Sequence, residues 1–177
     1  MSYCDLANAL PDNTDNPNKH YHDHEYGFPV SDDRILFERL VLEINQAGLS
    51  WTLMLKKRPA FQAAYRGFDI AAVAAFDDTD RARLLADAGI IRNRLKINAA
   101  IHNAQQIIAL QREYGSFKNW LDAHHPRSKD EWVKLFKKQF KFMGGEIVGE
   151  FLMSTGYLAG AHDASCPVAE KIRAQLK

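Results

Sequence analysis

Apolar positions along the chain recur at helical spacing, and no stretch combines strand composition with sustained alternation. Phe37, Leu40, Val41 and Ile44 form the clearest stripe. Ser31 precedes it as an expected N-cap, Asp32 and Asp33 fall in the first turn where the helix dipole favours acids, and Gly48 is the expected terminator. A second helix is expected from Ser50 to about Arg58, where Pro59 interrupts and could start a third. Short helices follow near residues 70–76 and 81–88, and a long one runs from the break at Gly89 to about residue 112. Others are expected near 117–123, 130–140, 146–155 and 168–175. Residues 1–30, rich in Asn, Asp, Pro and His, read as irregular. The pattern predicts an all-α fold of eight or nine short helices, in a single domain spanning 1–177.

Composition agrees with that picture. With 46% apolar and 25% charged residues in 177, the chain can bury one sizeable core. Charges interrupt every apolar run too soon for a bilayer span, and the N-terminus lacks the pattern of a secretory signal. A bacterial-type cytoplasmic setting is expected. Cys4 and Cys166 are the only cysteines, too few for a four-cysteine iron–sulfur cluster, and no disulfide is expected between them in a reducing compartment.

Net charge is +1, but its distribution is uneven. Residues 1–89 hold 9 Lys/Arg against 14 Asp/Glu, whereas residues 90–145 hold 11 against 4. A basic segment of this kind can present a phosphate-binding face, or can simply be a solvated lysine-rich helix.

Four groups of residues carry candidate chemistry. Residues 85–97 read as helix, glycine turn, helix, with Gly89 followed by Ile90, Ile91, Arg92, Arg94 and Lys96. Turn amides after such a glycine can bind phosphate without reading sequence, although a generic helical hairpin has the same local pattern. Glu43 lies one turn from a helix end, where the dipole disfavours a carboxylate, and borders the apolar face. It can be a ligand-binding group or a partner of Arg39. Leu49, next to Gly48, can be a wedge between bases or a core contact. Cys4, His22, His162 and Cys166 have the composition of a structural zinc site, with His20 and His24 as competitors, and would clasp the chain ends. Tyr21, Tyr26 and Trp51 can pack a core or sandwich a flipped base, each stack being worth ~1–3 kcal/mol.

Several stretches together resemble the 3-methyladenine DNA glycosylase I family, a bacterial branch of the helix-hairpin-helix DNA glycosylases. They are Tyr21–Gly27 (YHDHEYG), LEINQAGLSW at 42–51, LKKR at 55–58, DAGIIRNRLKI at 87–97, FKFMG at 140–144, and His162 with Cys166 four residues on. The resemblance runs from Cys4 to Cys166. It implies a structural Zn2+ on Cys4, His22, His162 and Cys166. It implies that Glu43 binds the methylated adenine, with Tyr21 beside it and Trp51 stacking, and that Leu49 beside Gly48 intercalates. It also implies that residues 89–94 grip the DNA as a helix-hairpin-helix. Two positions depart from the family pattern: Leu6 replaces a frequent tryptophan in the base pocket, and Tyr26 replaces the aromatic of a Glu-Trp-Gly motif.

The implied activity is that of a monofunctional glycosylase. It flips N3-methyladenine out of double-stranded alkylated DNA, hydrolyses its bond to the sugar and leaves an abasic site. A monomer with no membrane partner is expected. Between Arg94 and Phe151 the only aspartates are Asp122 and Asp130, neither in the context of a catalytic aspartate, and no lysine stands out for lyase chemistry. A non-catalytic damage-binding module and a glycosylase for another cationic purine are the competing readings.

Overall fold

A computed structural model describes residues 1–177. It is all-helical, with eleven α-helices and one short 3-10 turn. In chain order they are α1 (Tyr3–Asn8), α2 (Pro17–His24), α3 (Asp33–Gln46), α4 (Trp51–Ala64), α5 (Ile70–Ala74) and α6 (Asp78–Ala86). Then come α7 (Arg94–Tyr114), α8 (Phe117–His124), α9 (Lys129–Gln139), α10 (Gly145–Ser154) and α11 (Pro167–Gln175). No helix is long and apolar enough to cross a membrane.

Two compact units share the chain: Met1–Pro29 with Leu152–Lys177, and Val30–Phe151. In the larger unit, α3 buries Phe37, Leu40, Val41 and Ile44, the stripe expected from spacing, and Leu36 as well. α7 adds Ile97, Ala100, Ile101, Ala104 and Ile107. An aromatic group of Phe117, Trp120, Phe136, Phe140 and Phe151 fills the space among α8, α9 and α10, with neighbouring ring centroids 5.5–6.1 Å apart. Asp33 joins α3 to α8 by accepting the backbone N–H groups of Phe117 and Lys118 at 2.8 and 3.0 Å, which satisfies donors at a helix start that has no intrahelical acceptor for them.

Three expectations change. The N-cap of α3 is Asp32 rather than Ser31, its side chain accepting from the Arg34 N–H at 2.8 Å. Pro59 does not end a helix, because α4 continues through it to Ala64 with Met54, Leu55, Phe61 and Ala64 buried on both sides of it. Burial of that face outweighs the hydrogen bond the proline removes.

The third change is that residues 1–30 are not irregular throughout. Ser2 caps α1 in a reciprocal box with Asp5, and Asn16 with Pro17 starts α2. In the smaller unit these helices place Cys4 beside Cys166 and Val168 of α11, with Phe28, Ala169 and Ile172 against them.

Candidate functional site

In the smaller unit, Cys4, His22, His162 and Cys166 converge, their donor atoms all within 4.8 Å of one another. Cys4, His22 and Cys166 are buried. The His162 Nδ1 lies 3.5 Å from the Cys4 sulfur and 3.8 Å from that of Cys166, and the His22 Nε2 lies 3.6 Å from the Cys166 sulfur. Each imidazole thus turns one nitrogen toward the cluster. The other nitrogen is engaged outside it: His22 Nδ1 with the Asp23 carboxylate at 2.7 Å, and His162 Nε2 with the Tyr26 carbonyl. Carboxylate and carbonyl partners of this kind orient metal-binding histidines. Burial, and the neighbouring Cys166, hold the Cys4 thiol up at about 11, so a bound cation is what would keep it ionised at neutral pH. Two sulfurs and two imidazoles suit a tetrahedral zinc ion.

Asp23 and Gly27 support this cluster and are absent from the set read from the sequence. Gly27 has φ +83°, and a Cβ there would lie 2.9 Å from the Ala161 Cβ and 3.1 Å from the His162 ring. Only glycine suits both the conformation and the space. Tyr21 is 2% exposed, and its ring centroid lies 5.7 Å from that of Tyr26, which meets His162 edge-on at 5.4 Å. Leu6, on α1, is 54% exposed.

In the larger unit, Glu43, Gln46, Gly48, Leu49, Gly144, Glu146 and Glu150 help to line a cavity of about 470 Å³, in the range of small-molecule sites. Glu43, on the last turn of α3, is 4% exposed. Burial, and then the charge of Glu150, raise its pKa to about 8, against a smaller opposing effect of Arg39. Pairing with Arg39 therefore does not hold Glu43 ionised. Gly48 has φ +82° and ends the helix as expected, and Leu49 stands 40% exposed on the cavity. Trp51 follows Ser50, the N-cap of α4, and is half-buried.

The turn between α6 and α7 has two kinds of residue. Arg92 and Arg94 are exposed and Ile91 is half-buried. Ile90 and Lys96, both expected at the DNA surface, point inward. Ile90 is 3% exposed, and the Lys96 ammonium, 6% exposed, donates to the carbonyls of Asn45 and Ala47 at 3.0 and 3.2 Å. That lysine occupies the unpaired carbonyls at the end of α3. Gly89 has a packing role as well: a Cβ there would lie 2.9 Å from the Ala60 Cβ of α4. Its N–H donates to the Asp87 carboxylate at 2.8 Å. Asp122 pairs with Lys118 at 2.8 Å, and Asp130 lies in the first turn of α9; neither lines the cavity.

Comparison with known proteins gives a consistent result. Residues 12–134 match the methyladenine glycosylase family. The chain is 37% identical to DNA-3-methyladenine glycosylase 1 of Escherichia coli (strain K12), with 82% of this chain and 88% of the relative covered. It is 32% identical to the DNA-3-methyladenine glycosylase of Haemophilus influenzae, with 83% and 89% covered. Among solved structures, a 3-methyladenine DNA glycosylase I variant in complex with 3-methyladenine superposes with a TM-score of 0.82 at 30% identity, over 95% of this chain and 97% of that one.

Proposed function

The chain belongs to the methyladenine glycosylase family, and we propose that it removes N3-methyladenine from alkylated DNA by hydrolysing the bond between base and sugar. The observation that carries the proposal is Glu43: a buried carboxyl on a cavity large enough to admit a purine, in a chain whose relatives are named for this lesion.

N3 methylation puts a positive charge on the adenine ring and weakens its bond to deoxyribose. Burial, and then the charge of Glu150, raise the Glu43 pKa to about 8, which favours the protonated carboxyl at neutral pH. A cationic base arriving at the carboxyl expels that proton and takes its place as the charge partner. Unmodified adenine brings no charge and leaves the proton where it is. Selectivity follows from the lesion's electronic state, and stabilisation of the departing base favours the oxocarbenium-like sugar. Water adds at the sugar carbon, the base leaves, and an abasic site remains.

Trp51, in the same unit as Glu43, is assigned to aromatic contact with the base, which for a cation adds cation–π attraction. Leu49 is assigned to the gap left in the duplex. Residues 89–94 are assigned the role of a helix-hairpin-helix, with Arg92 and Arg94 on phosphates. The Cys₂His₂ cluster is assigned a structural zinc, since four protein ligands leave no open position for water. The bacterial cytoplasm is the expected setting for such an enzyme.

Chromatography of bases released from methylated DNA tests the proposal. Free 3-methyladenine is expected from the intact protein. Glu43→Gln should abolish most release while retaining duplex affinity, which is largely phosphate-driven. No release from the zinc-loaded intact protein would reject the assignment.

A further inference from the structure

The segment after α9 carries features that the base cavity and the hairpin turn do not use. Phe140 and Phe142 are separated by one residue but have opposite fates. Phe140 is 5% exposed within the aromatic group, whereas Phe142 is 36% exposed. Phe142 also has φ +61°, in the left-handed region that a bulky side chain seldom adopts.

One residue earlier the backbone is held from α7. Asn103 of α7 is fully buried, and its side-chain amide grips both backbone groups of Lys141. The Lys141 N–H donates to Asn103 Oδ1 at 2.8 Å, and Asn103 Nδ2 donates to the Lys141 carbonyl at 3.1 Å. With Phe140 in the core and Lys141 clamped, the chain turns sharply and presents the Phe142 ring to solvent. A buried polar residue dedicated to holding an exposed aromatic in an unfavourable conformation points to a use for that ring.

Two further observations say what the ring meets. Gly144 and Gly145, which line the cavity, have negative φ, and a Cβ on either would meet no protein atom within 4 Å. Neither backbone conformation nor internal packing requires glycine there, so the free space faces a ligand approaching from outside. The turn itself is cationic: Lys134, Lys137, Lys138 and Lys141 are exposed, whereas the acids Glu43, Glu146 and Glu150 lie on the cavity side.

We propose that the Lys137–Gly145 turn is a second DNA-contacting element at the mouth of the base cavity, with Phe142 stacking on a nucleobase beside the flipped nucleotide. Lys137, Lys138 and Lys141 run along the phosphates of that strand, and Gly144 and Gly145 admit its backbone close to the cavity rim. The occupant is the strand that supplies the base, because the turn is continuous with the cavity and its cations complement phosphate. The inference rests on the glycosylase reading.

The test compares Phe142→Gly and Phe142→Trp with the unaltered protein in three measurements: thermal melting, binding of free 3-methyladenine, and binding of a duplex containing a tetrahydrofuran abasic analogue. Glycine relieves the positive φ but gives up the covered part of the ring, so Phe142→Gly should remain folded, melt at most a few degrees lower than the parent and bind the free base equally. Its duplex affinity should fall roughly 5- to 100-fold, as expected for losing one base–aromatic stack. Phe142→Trp should retain duplex affinity. Lys141→Ala should reduce the salt slope of duplex binding by about one.

Unchanged duplex affinity in Phe142→Gly would overturn the proposal while leaving the glycosylase reading intact. A larger loss of melting temperature together with loss of free-base binding in that variant would also overturn it, since both would mark a structural role. An unaltered protein that releases no 3-methyladenine would fail at the earlier step and remove both.

Discussion

The ammonium of Lys96 donates to the carbonyl of Ala47 at 3.2 Å, tying the first turn of α7 to the end of the helix that carries Glu43. The same group donates to Asn45 at 3.0 Å. Gly48 and Leu49 follow directly, so the lysine couples the proposed phosphate-binding turn to the cavity lip. Lys96→Met should destabilise the protein by ~1–3 kcal/mol, because buried carbonyls lose their donor. It should also reduce excision more than duplex affinity. Urea melts, with excision and binding assays on the same variant, check both; excision and affinity falling in parallel would argue against the coupling.

Glu43 makes stability depend on pH in a defined direction. The folded protein holds its proton to about pH 8, whereas an ordinary glutamate releases it near 4.5. Between those values the folded state binds more protons than the unfolded one, so the contribution to stability is present below 4.5 and is lost as pH rises to about 8. Glu43→Gln should therefore stabilise the protein at pH 8 relative to pH 5, by on the order of 3 kcal/mol. Parallel pH dependences of the two proteins in urea melts would reject the shift.

The same proton opposes the cationic base. The kcat/KM for excision should rise with pH toward about 8 and level off above it. Glu150 raises the Glu43 pKa through its charge. Glu150→Gln should move the rising limb of that profile to lower pH. A limb that stays in place, measured by single-turnover release of 3-methyladenine, would mean that a different group controls it.

Metal removal should act through folding. Protein purified without chelator should hold one zinc per chain, and Cys166→Ser should lose it. Stripping the metal should lower the melting temperature by about 10 °C or more, since binding to the folded state alone is folding free energy. Equal melting of stripped and loaded protein would remove the zinc assignment.

Gly27→Ala provides a separate check of the same cluster. The new methyl would lie 2.9 Å from the Ala161 Cβ at φ +83°. A cost of ~1–3 kcal/mol is expected, with weaker zinc retention because the His162 ring must shift. Wild-type melting and zinc content in this variant would show that the loop adapts freely.

Much of the fold was legible because local signals agreed. The stripe in α3 and the glycine after it came directly from spacing. α1 and α2 were missed because they are six and eight residues long and mostly polar, although Asn16 before Pro17 was a readable start signal for α2. Pro59 misled because an interior proline is locally unfavourable, and only burial on both sides of it outweighs that preference. The four residues of the Cys₂His₂ cluster are legible from residue type and family resemblance, but Asp23, which engages His22, has no sequence pattern of its own.

The chain by itself determined the helical class and the family, because those depend on periodicity and on motifs in order. Tertiary structure alone decided that the Lys96 ammonium meets the carbonyls at the end of α3, that burial beside Glu150 raises the pKa of Glu43, and that Asn103 holds the Lys141 backbone next to Phe142. Each of these depends on which groups lie within a few ångströms across long stretches of sequence, and on how far burial lowers the dielectric around a charge. Neither quantity is encoded in local pattern.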